Sequence, residues 1–163
     1  MPLEITFSLG KETIVVKDKA SNEVIIMTAT SGGWDEHKPL PKGKWVIAEN
    51  PRGVRDYFAL FYVDSNINDQ FFDEKWRDGI RFGYHGDEGS HGCVMTRLYD
   101  KDAIGLSFRD VKDKGQMVWD HVQDLIRKKG QKKVITYKNN EIPHKRDDTA
   151  YRLTSYGYLR VVD

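Results

Sequence analysis

The chain has 163 residues, 39% hydrophobic and 31% charged, with 26 Lys and Arg against 25 Asp and Glu. That length fits one domain over residues 1–163, able to bury roughly two thirds of its unfolded surface. A net charge of +1 gives no nucleic-acid signature. No run approaches the roughly 18 apolar residues of a membrane span. The first ten residues lack a basic stretch followed by an apolar core, so no secretory signal peptide is expected. A single cysteine cannot form an internal disulfide.

In chain order, Thr13–Lys17 and Glu23–Ala29 are rich in Ile, Val and Thr and read as a hairpin turning over Asp18–Asn22. Ser31-Gly32-Gly33 breaks its second strand. Pro39–Gly43 is a rigid loop and Lys44–Ala48 a short strand. Tyr57–Val63 is apolar on both faces, which predicts a buried central strand. Asn66–Gly79 reads as an irregular or partly helical insertion, and Gly79–Tyr84 as a strand. Met117, Val118, Val122, Leu125 and Ile126 recur at helical spacing. Arg127, Lys128 and Lys129 suit the last turn, and Gly130 the C-terminal cap. Lys132–Tyr137 is a strand, Asn139–Thr149 a loop, and Tyr151–Val162 one or two closing strands. The fold class is mostly β: a sandwich with one main helix after the cysteine.

The only cysteine, Cys93, ends the stretch Tyr84-His85-Gly86-Asp87-Glu88-Gly89-Ser90-His91-Gly92-Cys93. A thiol within loop reach of an imidazole is the minimum equipment for nucleophilic acyl transfer, because the histidine takes the thiol proton. A lone cysteine is more often a packed small hydrophobe. Here the polar, flexible Ser90-His91-Gly92 is a poor setting for a core residue. Val94, Met95 and Leu98 suggest a helical turn whose free N–H groups would stabilise a thiolate at Cys93. Zinc held by His85, Asp87, His91 and Cys93 is the metal alternative, but the spacing matches no closed structural zinc pattern.

His85-Gly86 followed by Ser90-His91-Gly92-Cys93-Val94 resembles the catalytic signature of the L,D-transpeptidases, cysteine enzymes that remodel bacterial peptidoglycan. Thr30-Ser31-Gly32-Gly33 resembles the family's Ser-x-Gly turn, and Pro41-Lys42-Gly43-Lys44-Trp45-Val46-Ile47 its Pro-x-Gly-x-aromatic strand. The likeness spans roughly residues 10–110. Two features depart from the wall-maintenance enzymes: only seven residues separate His85 from Cys93, and Met95 stands where many carry Arg or Asn. The short loop and the missing leader look closer to the L,D-transpeptidase-like toxins delivered into rival bacteria by type VI secretion.

The resemblance implies Cys93 as nucleophile and His85 as general base. Gly86 would orient the imidazole through its carbonyl, and the N–H groups of Cys93 and Gly92 would form an oxyanion hole. Ser90, His91, Arg97 and Tyr84 would contact substrate, and His91 is a rival base. No cofactor is implied. The implied substrate is a peptidoglycan tetrapeptide stem, with water, a D-amino acid or a second stem as acceptor. The implied partners are an immunity protein and a secretion-system carrier, with action in the periplasm of the target cell or a cytoplasmic residence until export. A housekeeping or phage-borne cross-linking enzyme is the alternative within the family. A catalytically silent wall-binding module is the alternative of another class. Of Trp34, Tyr62, Trp76 and Tyr84, one or two are expected in a substrate groove. His37 lies near the proline-rich loop and carries little weight.

Overall fold

The computed structural model describes residues 3–33, 38–85 and 92–163. Eleven strands and two α-helices follow in chain order among these residues. They are β1 (Leu3–Ser8), β2 (Thr13–Asp18), β3 (Glu23–Ser31), β4 (Gly43–Glu49), β5 (Phe58–Tyr62), β6 (Gln70–Asp73), β7 (Lys75–Asp78), β8 (Arg81–Tyr84) and β9 (Val94–Leu98). Then come α1 (Asp100–Ala103), α2 (Phe108–Lys129), β10 (Lys133–Asn139) and β11 (Asp147–Val162).

Nine strands form one sheet in the order β1-β2-β3-β9-β8-β5-β4-β11-β10. The long β11 divides its partners. Its first half pairs with β10, and its last residues pair with β4 on one edge and β1 on the other. The β1–β11 pairing, Ile5 beside Leu159 through Ser8 beside Val162, closes the hydrogen-bond ladder on itself. The architecture is therefore a closed, barrel-like β-sheet with one main helix packed on it. Closure removes the unpaired edges that β1 would otherwise expose.

The core follows from strand alternation. On β4, Trp45 and Ile47 face the main apolar cluster, while Val46 and Ala48 face a second one. On β5, Phe58 and Leu60 divide from Ala59 and Phe61 in the same way. The second cluster is capped by Tyr137 of β10, so both faces of β4 and β5 are buried, as the apolar run at Tyr57–Val63 predicts. The helix α2 starts at Ser107, whose hydroxyl accepts the Asp110 N–H at 3.1 Å. It buries Trp119, Val122, Leu125 and Ile126 in the main cluster, and Trp119 meets Phe82 edge-on at 5.0 Å. Met117 points to solvent and is not part of this face.

Several expectations are corrected. The segment Asn66–Gly79 contains no helix: β6 and β7 form an antiparallel hairpin turning at Glu74, which has φ 61°. Val94–Leu98 is a strand, not a helical turn, because its side chains alternate between sheet faces and are almost all buried. Residues 3–8 form β1, for which the sequence offered no element, and the closing segment is one strand, as one of the two expected forms, that begins at Asp147 inside the expected loop Asn139–Thr149. Gly130 caps α2, but at φ −64° rather than in the left-handed region. Glycine is required there for space: a Cβ would lie 2.4 Å from the Ile126 carbonyl oxygen and 2.6 Å from that of Tyr156. Gly130→Ala should therefore destabilise the fold by about 1–3 kcal/mol, the usual cost of overpacking. Thermal unfolding checks this, and a melting temperature unchanged or raised would contradict the crowding.

Candidate functional site around Cys93

Strands β8 and β9 are neighbours and parallel, with Phe82 beside Val94 and Tyr84 beside Thr96. Residues 85–93 join them, and so lead from the far end of β8 back to the near end of β9. Parallel connections usually need a dozen residues or more. Cys93 is the last residue before β9 and sits beside Arg81, the first residue of β8. Its Sγ accepts the Arg81 backbone N–H at 3.3 Å and donates to the Gly79 carbonyl at 3.7 Å. A neutral thiol can do both; a thiolate can only accept.

Two arginines build the surroundings. The Arg81 guanidinium forks onto Asp69, Nη1 to Oδ1 at 2.8 Å and Nη2 to Oδ2 at 2.9 Å, with both side chains largely buried. The Arg77 guanidinium donates to the carbonyls of Lys38 at 2.9 Å and Pro39 at 3.1 Å and to Asp73 at 3.0 Å, and lies over the Phe71 ring. It also fixes the residue before Cys93: a Cβ on Gly92 would fall 2.4 Å from Arg77 Nη2, and Gly92 has φ 107°. Both facts demand glycine at that position. The Gly92 carbonyl accepts the Ser31 hydroxyl at 2.6 Å, and Ser31 Oγ accepts the Leu40 N–H at 3.0 Å. The end of β3, the proline loop and the cysteine loop are thus tied at one serine.

Cys93 is half-buried in a cleft of about 600 Å³, lined also by Lys38, Asp73, Glu74, Trp76, Arg77 and Lys145. Burial pushes its pKa up from the ordinary thiol value, more than the Arg81 N–H and guanidinium lower it. The expected thiolate stabilisation by a helical turn is therefore replaced by a strand entry that favours the neutral thiol. A cysteine in this state needs a base to become a nucleophile.

Of the other expected site residues, His85, Tyr84 and Arg97 are among the described ones. His85 is exposed at the far end of β8, with its N–H on the Thr96 carbonyl at 3.2 Å. Its backbone lies four residues along the strand from Arg81, or roughly 13 Å at about 3.3 Å per residue. The described geometry does not bring His85 and Cys93 together. Tyr84 donates to the Lys112 carbonyl at 2.9 Å and packs under α2, away from the cleft. Arg97 pairs with Asp100 at 3.3 Å and does not line the cleft. Of the aromatic candidates, Trp76 lines the cleft and Tyr62 packs on Trp45 at 4.8 Å. Gly86, Asp87, Ser90, His91, Trp34 and His37 lie outside the described residues. Among the described residues, no three His, Cys, Asp or Glu gather as a metal site, and no helix is long and apolar enough to cross a membrane.

The sequence reading missed Asp69, Arg77 and Arg81, which surround the thiol. No motif marks them: Asp69 and Arg77 lie in the segment that reads as an irregular insertion, and Arg81 in the short strand that follows. No protein-family model matches the chain, and neither a curated protein nor a solved structure matches it.

Removing Asp69 would leave a buried guanidinium without its carboxylate. Asp69→Ala should cost about 3–5 kcal/mol, as for other broken buried pairs. Urea denaturation measures it, and a loss below about 1 kcal/mol, the range of an exposed pair, would show that this pair does not hold the insertion in place.

Proposed function

We propose that the chain is a peptidoglycan-modifying cysteine enzyme that acts on tetrapeptide stems through a thioester. The position of Cys93 carries this reading: a half-buried thiol lining a cleft of about 600 Å³, next to a backbone tied by hydrogen bonds to Ser31 and Arg81. The motif resemblance supplies the substrate class, and the depth and mixed charge of the cleft suit a peptide carrying both amine and carboxylate groups.

In the proposed reaction a histidine takes the Cys93 proton and the thiolate attacks the carbonyl at the L-centre of the stem's diamino acid. The C–N bond to the terminal D-alanine breaks, the histidine returns the proton to the departing amine, and a thioester remains. Water then gives a shortened stem, and a free D-amino acid gives an exchanged one. In either case the thiol is restored. Either outcome depletes the donors of cross-linking, as expected of an interbacterial toxin, whose producer would need an immunity protein that occludes the cleft.

The base is assigned to the connection between β8 and β9. The resemblance points to His85, whose backbone stands roughly 13 Å up the strand pair at about 3.3 Å per residue; His91 stands two residues from Cys93 in the chain.

Mass spectrometry of muropeptides after incubation with disaccharide-tetrapeptide tests the reading. Loss or exchange of the terminal D-alanine is expected with the wild-type chain and not with Cys93→Ala. An untouched tetrapeptide with folded wild-type protein would overturn it. In the same assay one of His85→Ala and His91→Ala should lose about 10²–10⁴-fold in rate, the usual contribution of a general base. Loss in His85→Ala alone would assign the base to His85, and loss in His91→Ala alone would assign it to His91. Full activity in both variants would contradict a histidine base.

A further inference from the structure

The hairpin β6–β7 carries a feature that the chemistry at Cys93 does not use. Phe72 and Trp76 stand opposite each other in the hairpin register and meet edge to face, with ring centroids 5.6 Å apart. The neighbouring Phe71 turns inward against Trp45 at 5.0 Å, but Phe72 is 60% exposed and Trp76 39% exposed. A cross-strand aromatic pair stabilises a hairpin, which accounts for the pairing itself. It does not account for the hollow beside it.

Phe72 and Trp76 form one wall of a hollow of about 430 Å³, whose other walls include Tyr62, Asp64, Asn66 and Glu141. The rim is polar and held in shape: the Asn66 N–H bonds to Asp64 Oδ1 at 3.1 Å. The half-buried Glu141 carboxyl stands on the same rim, with the side chains of Asn66 and Asn68 within hydrogen-bonding reach. Trp76 also lines the Cys93 cleft, so the two depressions meet at a single indole. Aromatic faces beside carboxylate and amide groups match a pyranose, which has an apolar C–H face and a rim of hydroxyl and acetamido groups. A hollow of this size suits one or two sugar rings, whereas a protein partner would bury a far larger surface, about 800 Å² on each side.

We infer that this hollow binds an amino-sugar of the glycan strand while the stem attached to that sugar enters the Cys93 cleft. The inference rests on the reading that the substrate is a peptidoglycan stem. It makes the glycan-borne stem, rather than free peptide, the preferred substrate.

The experiment has two readouts. In the first, N-acetylglucosamine–N-acetylmuramic acid disaccharide without peptide is added to Cys93→Ala protein while the Trp76 indole N–H is followed by NMR. The resonance is assigned by its absence from Trp76→Phe. A saturable shift is expected, and it should be lost in Phe72→Leu, which keeps an apolar side chain on the hairpin but removes the ring. In the second, kcat/KM is compared for disaccharide-tetrapeptide and free tetrapeptide. The wild type should favour the glycan-borne stem about tenfold, or about 1.4 kcal/mol, and Phe72→Leu should bring the ratio near one. No shift in folded protein, or a wild-type ratio of one, would overturn the inference. If neither substrate is turned over, the enzymatic reading fails, and the disaccharide titration still decides for or against the sugar site.

Discussion

The cleft depends on the ion pair between Arg81 and Asp69. A guanidinium stays charged at any ordinary pH, so placing it below the surface is tolerable only with a well-aligned carboxylate. Asp69 provides this with two short hydrogen bonds. The pair joins the chain just before the β6–β7 hairpin to the start of β8. The Asp69 carbonyl also accepts the Gly79 N–H at 3.3 Å, which closes the hairpin onto its own base. With Arg81 fixed, its backbone N–H is fixed, and that N–H holds Cys93 Sγ. The thiol's position is thus set by a contact made outside the cysteine motif. Arg77 adds the second constraint by lying against Gly92 and stapling the hairpin to the carbonyls of Lys38 and Pro39.

Local signals in the sequence were sufficient where the physics is local. The hairpin of β2 and β3, the doubly buried β5 and the end of β3 at Gly32 follow from periodicity and from glycine. Ser31 and the proline loop are separate motifs in the sequence, and the structure joins them at the Ser31 hydroxyl, which accepts the Leu40 N–H and donates to the Gly92 carbonyl. The β6–β7 hairpin was not legible because Phe71 and Phe72 are adjacent, which obscures their alternation: one enters the core and the other faces solvent. Val94–Leu98 carries apolar residues at positions that fit either a short helix or a strand buried on both faces, and only its pairing with β3 and β8 decides. The closure of β1 on β11 joins residues more than 150 positions apart, and no local pattern encodes that register.

The same non-local register governs the histidine. Sequence proximity places His85 within loop reach of Cys93, but a parallel pairing of β8 and β9 sends them to opposite ends of the two strands. The strand entry also changes the electrostatics expected at the thiol. A helical turn would have presented free N–H groups to a thiolate; among the described residues the half-buried Cys93 sulfur meets the Arg81 N–H and the Gly79 carbonyl. Such a site favours the neutral thiol, so the proposed reaction needs a base to remove its proton.

The most direct measurement is the rate of Cys93 alkylation by iodoacetamide across pH 6 to 10, followed by intact-protein mass, with Cys93→Ala as the blank. Because burial holds the folded thiol's pKa above its ordinary value, the neutral form should persist past neutrality and the rate should rise with an inflection above about 8.5. An inflection well below that value would show a resting thiolate already formed, contradicting a thiol held neutral by burial. A cysteine that stays unmodified throughout, in folded protein, would contradict its place in the lining of the cleft.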